Sequence, residues 1–336
     1  MNTLTVCIPT YNRKDHLLMI VNEILSCNDP RVQIYVQDNC STDDTRKELS
    51  LINSTRLRVH TNDKPLDGRH NIVDAMRRAS GDYILLCLDK DFIKKEALIA
   101  ILDVVDKYLP VQGYIDISTV NEEKPYIVYK KGYDSILATS YRGKHPSGSF
   151  YKTDVFYDCF RTLQIQSLDF TFPFWFDVIN AHISLVGNSV AIQKAFVITE
   201  SKENALKEKS FSYNEENFYM HPVKRNEEYA IYFKDLWTLN ISDHQKVCIA
   251  LNLFYNGLGN STYMYKKSMM DEFITTHYNV KKRIVSYPDM FKYTISYLNM
   301  FIINSKGFLS LLQRSYIILI GGSIWTLKLL KSLMCR

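Results

Sequence analysis

Two aspartates one residue apart, Asp89 and Asp91, stand just beyond an uncharged run from Tyr83 to Leu88. A run of that length suits a strand buried on both faces of an α/β sheet, and ligands bind at the C-terminal edge of such a sheet. Carboxylates spaced this way can hold a hard divalent cation, with Lys90 turned elsewhere. The pair also reads as a helix start, with Asp91 as N-cap of the apolar-periodic segment Ile93 to Leu109. Two more strand ends carry polar tips: Thr10-Tyr11-Asn12 after Leu4 to Pro9, and Asp38-Asn39 after Val32 to Gln37.

The elements that must position these tips follow from hydrophobic period. Strands are expected at Leu4 to Pro9, Val32 to Gln37, Leu57 to His60 and Tyr83 to Leu88. Helices are expected at Lys14 to Ser26, after a Ser41 or Thr42 cap, and from Asp67 to Arg78. Alternation at this spacing predicts an α/β fold with a doubly wound, mainly parallel sheet. Neither a Gly-x-Gly-x-x-Gly nor a Gly-x-x-x-x-Gly-Lys follows the first strand, so a nucleotide would be held by base and ribose at the strand tips and by a metal at its diphosphate.

With 336 residues, the chain is long for one domain, and we expect a catalytic domain over 1–221 and a smaller helical, basic one over 222–336. Helical spacing recurs from Glu227 to Tyr255 and from Met290 to Asn304, whereas polar Thr199 to Tyr219 reads as a lid over the site. Pro222 to Arg336 holds 15 Lys/Arg against 7 Asp/Glu, leaving 26 against 29 for the rest, so an anionic surface or ligand is expected in the C-terminal third. Seven cysteines without a Cys-x-x-Cys pair read as reduced thiols, and no signal peptide precedes the first strand. A cytoplasmic protein is therefore expected, working at the inner face of the cell membrane if its tail binds lipid.

Ile8-Pro9-Thr10-Tyr11-Asn12-Arg13, Gln37-Asp38-Asn39-Cys40-Ser41-Thr42-Asp43, Asn71 with Ala79-Ser80-Gly81-Asp82-Tyr83-Ile84, and Asp89-Lys90-Asp91 occur in one order. Together they resemble the family 2 glycosyltransferases of GT-A fold over about the first 110 residues. The resemblance implies that Thr10, Tyr11, Arg13, Asp38, Asn71 and Asp89 bind the nucleotide. It also implies that Asp89 and Asp91 hold Mn²⁺ or Mg²⁺ on the diphosphate, where a Lewis acid stabilises the leaving group. Two departures stand out. Asn39-Cys40 replaces the usual Asp-Gly, and Arg69-His70-Asn71 replaces Ala-Arg-Asn, which leaves either Arg69 or His70 to approach the diphosphate. His145 and Ser147, in the turn Gly143 to Tyr151, fall where such transferases contact donor sugar and acceptor, although His145 also reads as an exposed loop histidine.

An inverting transferase needs a carboxylate to take the acceptor proton. The family's acid opens a helix that reaches a glycine about ten residues later, which fits Asp177 with Gly187 beyond; Asp169 is the reserve, and an N-cap is the lesser reading of Asp177. His221 reads either as a third metal ligand or as a surface histidine.

The tail allows an angle count. As one helix, Lys306 to Arg336 would gather Lys306, Arg314, Lys328, Lys331 and Arg336 within about 140°, opposite Leu309, Leu312 and Leu319. The 13 uncharged residues Ser315 to Leu327 fall short of the roughly 20 needed to span a bilayer. A helix lying in the membrane surface fits, as does one docked on the body of the protein, and Gly321-Gly322 would divide it.

The reading is a metal-dependent, inverting glycosyltransferase of hexosyltransferase type in bacterial surface polysaccharide synthesis. Its partners would be a UDP-sugar donor, a glycan or lipid-linked acceptor and the membrane periphery, with no nucleic acid; a homo-oligomer is compatible. The alternatives are a nucleotidyltransferase of similar fold and a non-catalytic glycan- or nucleotide-binding scaffold.

Overall fold

The computed structural model describes the chain except residues 117–119, 122, 164–174, 200, 202–217 and 335–336, and the side chains of 327–334. The chain forms two units, Met1–Glu200 and Ser201–Arg336.

In the first unit, eight strands make one sheet in the order β3 (Leu57–Thr61), β2 (Val32–Asp38), β1 (Leu4–Thr10), β4 (Tyr83–Leu86), β8 (Ser149–Lys152), β6 (Gln112–Ile115), β9 (Ser189–Ile192), β7 (Tyr126–Tyr129). The first four are parallel, as are β6 and β9, while β8 and β7 run against their neighbours. The expected mainly parallel sheet is therefore present. Helices α1 (Lys14–Ser26), α2 (Thr45–Ser50), α3 (Gly68–Arg78) and α4 (Lys95–Tyr108) connect its strands, followed by α5 (Tyr133–Thr139), α6 (Thr153–Thr162) and α7 (Trp175–Ser184). Leu4, Val6, Ile8, Val32, Ile34 and Val36 pack with Leu17, Ile20 and Ile101 in its core. Burying each such side chain contributes roughly 1.5–3 kcal/mol.

The central strand is shorter than its apolar run. It ends at Leu86 because the Leu88 N–H donates to Ser147 Oγ (3.0 Å) instead of to a strand, and Asp91 N–H closes a turn onto the Leu88 carbonyl (3.0 Å). Asp89 and Asp91 thus lie on a turn. Nor does Asp91 cap α4, whose cap residue is Lys94; Phe92–Ile93 (β5) pairs with Val197–Ile198 (β10).

The second unit is helical: α8 (Pro222–Thr238), α9 (Asp243–Gly259), a π turn at Asn260–Met264, α10 (Tyr265–Met270), α11 (Glu272–His277), α12 (Tyr287–Ser305) and α13 (Leu311–Met334). The expected helical stretch Glu227 to Tyr255 is divided at Leu239–Ser242, where Ser242 and Gln245 form a capping box that starts α9. Tyr232, Phe233, Phe254, Tyr297 and Phe301 are fully buried within the unit.

The tail departs from the single helix over Lys306 to Arg336. Its helix starts at Leu311, after a turn in which Gly307 takes φ 91°. Gly321-Gly322 lies inside that helix rather than dividing it, and Gly321 lets the helix approach Phe254 of α9, where a Cβ would come only 2.6 Å from the ring. Ile317 is buried, whereas Leu312 and Leu319 are 83% and 67% exposed. One face therefore packs inside this unit, and the other presents apolar side chains to solvent.

Candidate active site

Three parallel strand ends build the sheet edge. After β1, Tyr11 is half exposed and Asn12 turns the chain with φ 53°. Asn12 N–H donates to Ser41 Oγ (2.9 Å) and its Oδ1 accepts from Thr42 N–H (2.7 Å), tying the turn to the loop after β2. Asp38, at the end of β2, is buried. Its carboxylate accepts from Ser41 N–H (3.0 Å), Arg46 Nε (3.2 Å) and Thr61 Oγ1 (3.2 Å), so it organises the loop from within. Cys40 has φ 61°, a left-handed conformation that glycine adopts without strain. Asn71 is buried in an amide network, giving Nδ2–H to the Gln37 carbonyl (3.4 Å) and accepting from Asn62 Nδ2 (3.0 Å).

The two aspartates of the Asp89–Asp91 turn have different surroundings. Asp89 accepts from Tyr11 N–H (3.2 Å) and lies 3.8 Å from Arg13 Nε. Burial pushes its carboxyl up to about 6, while Arg13 pulls the other way. The Asp91 side chain is fully buried: Ser147 Oγ donates to it at 2.5 Å and His145 Nε2 lies 3.4 Å away. Burial lowers the His145 pKa, and Asp91 opposes that shift. Among the described residues no group of three His, Cys, Asp or Glu forms a metal cage. As donors, however, two hard carboxylates suit Mg²⁺ or Mn²⁺, and a cation would relieve the buried charge of Asp89.

Residues 142–149 run on from this turn to a second site. At the loop's start, Arg142 and Gly143 N–H donate to the Asp177 carboxylate (3.2 and 2.7 Å). Asp177, in the first turn of α7, thereby holds this loop. It also lines a cavity of about 120 Å³ together with Arg69, Tyr114, Lys144, Trp175 and Phe176. Gly113 forms part of the wall, where a Cβ would overlap the Phe150 ring of β8. Of the two residues that the sequence leaves open, Arg69 lines the cavity, whereas His70 folds back onto Asp67, the N-cap of α3. His221 lies in the second unit, where its Nδ1 accepts from Val223 N–H (3.3 Å) as the N-cap of α8. Asp169 and most of the expected lid from Thr199 to Tyr219 fall outside the described residues.

Residues 5–162 match the model of glycosyl transferase family 2. The first unit thus carries a family 2 glycosyltransferase region. The poly(ribitol-phosphate) beta-N-acetylglucosaminyltransferase TarS of Staphylococcus aureus is 28% identical over 104 residues, 29% of this chain and 18% of TarS. Abequosyltransferase RfbV of Salmonella typhimurium is 27% identical over 108 residues, 31% of this chain and 32% of RfbV. The similarity thus spans well under two thirds of either relative. The crystal structure of TarS 1-349 in complex with UDP aligns with 90% of this chain and 81% of its own, with TM-score 0.58 and 16% identity. That likeness supports the GT-A fold.

Within the first unit, sequence reasoning overlooked Lys144 and Trp175. The Trp175-Phe176 pair before Asp177 was a signal for a platform beside that acid. Lys144 carried no comparable signal, because its neighbours in the cavity come from distant segments.

Proposed function

We propose that the chain is a metal-dependent, inverting glycosyltransferase that moves a sugar from a nucleoside diphosphate, UDP being the first choice, to a glycan or lipid-linked acceptor of a bacterial surface polysaccharide. The observation that carries this reading is one loop, residues 142–149, that contacts Asp91 through Ser147 and Asp177 through its backbone N–H groups. Such a loop sets the distance between a donor's diphosphate and the base that activates an acceptor. Asp89 and Asp91 would hold Mg²⁺ or Mn²⁺, which supplies Lewis-acid stabilisation of the leaving diphosphate. Thr10, Tyr11 and Arg13 would border the nucleotide, and Asp38 would position that border by fixing the Ser41 loop. Asp177 would take the acceptor hydroxyl proton. The relatives' sugar-transfer names and the UDP complex of TarS support the donor class.

The exposed Leu312 and Leu319, with Leu311 and Phe308 and the basic surplus of this third, support contact with an anionic membrane surface. No described helix is long and apolar enough to cross a membrane.

A second reading, a non-catalytic nucleotide- or glycan-binding scaffold, draws on the full burial of the Asp91 carboxylate, whose Oδ2 is engaged by Ser147 and faces His145. A panel of nucleotide sugars tests both readings. Thermal stabilisation by one UDP-sugar that requires Mn²⁺, is lost in EDTA and is accompanied by slow release of UDP supports the transferase. Binding indifferent to EDTA, without UDP release, supports the scaffold.

A further inference from the structure

The cavity beside Asp177 has a charge pattern that donor binding at the sheet edge does not use. Arg69 comes from the first turn of α3 and Lys144 from the loop before β8, and both line it. Neither makes an ion pair among the described residues. Lys144 Nζ instead stands 3.0 Å from the centroid of the Tyr114 ring, a favourable placement for a desolvated cation. Burial is the main influence on this ammonium and pushes its pKa down to about 7. Arg142 acts the same way, and Asp116 and Asp177 act against it. Asp177, the one carboxylate on the cavity wall among the described residues, already accepts two backbone N–H groups. The cavity therefore carries positive charge that its own walls leave incompletely compensated.

Its other walls are aromatic. Trp175 and Phe176 stack with centroids 3.7 Å apart, and Phe176 lies nearly parallel to Tyr151 at 6.5 Å. An apolar, aromatic surface with a few fixed charged groups is the make-up of a small-ligand subsite, and the C–H face of a sugar ring packs on such a surface. A cavity of about 120 Å³ has room for one sugar ring with its charged substituent, not for a chain.

We propose that this cavity is a subsite for an acidic sugar unit of the acceptor, whose carboxylate or phosphate sits between Arg69 and Lys144 while its ring lies against Trp175 and Phe176. The inference rests on the transferase reading and narrows its acceptor to an anionic glycan. The acid would fix the unit with its hydroxyl near Asp177, and a cation pair is suited to either anion.

The test compares three sugars with one parent ring: glucose, glucuronate and glucose 6-phosphate. Each is titrated by ligand-observed NMR into the full chain, with and without UDP and Mn²⁺. Both or either acid should bind about tenfold or more tightly than glucose, the worth of one charged hydrogen bond, and the better of the two names the anion. Lys144→Met should abolish the preference and Lys144→Arg should retain it, with UDP affinity within twofold of the wild type in both. Equal binding of glucose and the acids by the folded wild-type protein overturns the proposal. So does an equal loss of UDP and acid binding in Lys144→Met, which would assign the cation to the donor diphosphate. Acid preference measured without nucleotide stands even if UDP fails to bind, so failure of the transferase reading and of the subsite are told apart.

Discussion

The two ends of the 142–149 loop have opposite electrostatic deficits. At one end, Asp89 is a buried carboxylate raised to about 6 with Arg13 at 3.8 Å as its cation, and Asp91 is fully buried with Ser147 and His145 at its Oδ2. At the other, Lys144 and Arg69 line a cavity and make no ion pair among the described residues. A cation would relieve the first place and an anion the second. Charged side chains left this way are costly to the fold, and such groups cluster where ligands supply the missing charge. One short loop thus joins a place suited to a metal-bound diphosphate to a place suited to an acidic acceptor.

The largest test of this division is Asp177→Asn. It removes the base and keeps an acceptor for only one of the two 142–143 N–H groups, which donate to different carboxylate oxygens, so turnover should fall by about two orders of magnitude or more, while calorimetry shows unchanged UDP affinity. A comparable loss of UDP affinity would merge the two ends into one site.

Asp91→Ala acts at the opposite end. UDP binding should lose its Mn²⁺ dependence, with the metal-bound affinity falling at least about tenfold, while the glucuronate or glucose 6-phosphate preference is retained. Unchanged metal dependence would leave Asp89 as the sole carboxylate needed and shift the role of Asp91 to holding Ser147.

The second unit extends the comparison to a surface. Leu312→Glu with Leu319→Glu changes exposed positions, so the melting temperature should stay within a few degrees, whereas sedimentation with anionic liposomes at low salt should drop several-fold. Removing Leu311–Arg336 should instead unfold this unit, because Ile317 is buried in it and Gly321 lies against Phe254. Wild-type protein that ignores anionic liposomes would end the membrane reading.

The smallest effect is a pH dependence at Lys144. Its pKa falls to about 7 in the folded chain from the ordinary 10.5, so between those values the unfolded chain binds more protons and stability rises with pH. The cost of the buried charge is complete below pH 7 and fades above it. Lys144→Met should therefore raise the melting temperature by a few degrees at pH 6 and by less at pH 9, a difference that bound glucuronate or glucose 6-phosphate should narrow. A gain that grows with pH would contradict the assignment.

Much of the first unit was legible because its signals are local. Leu4–Thr10, Val32–Asp38 and Gly68–Arg78 follow from apolar period and flanking polar residues, and those signals place Asp38 and the Asp89–Asp91 pair at one sheet edge. The second unit was legible as helical, but Ser242 divides one expected helix and Gly307 delays another. Periodicity does not show where a side chain or a left-handed residue stops an element.

By itself, then, the sequence determined the alternation of strands and helices and the identity of the acids at the strand ends, since both depend on neighbours in the chain. Tertiary structure alone decided that Asp38 is satisfied by Ser41, Arg46 and Thr61, that buried Asp91 accepts from a serine 56 positions away, and that Arg69, Lys144 and Trp175 share one cavity. It also decided which face of the last helix is buried. The physical reason is the same in each case: hydrogen bonding, burial and charge compensation depend on atoms that sheet order and helix packing bring together across tens of residues, and no local pattern records that register.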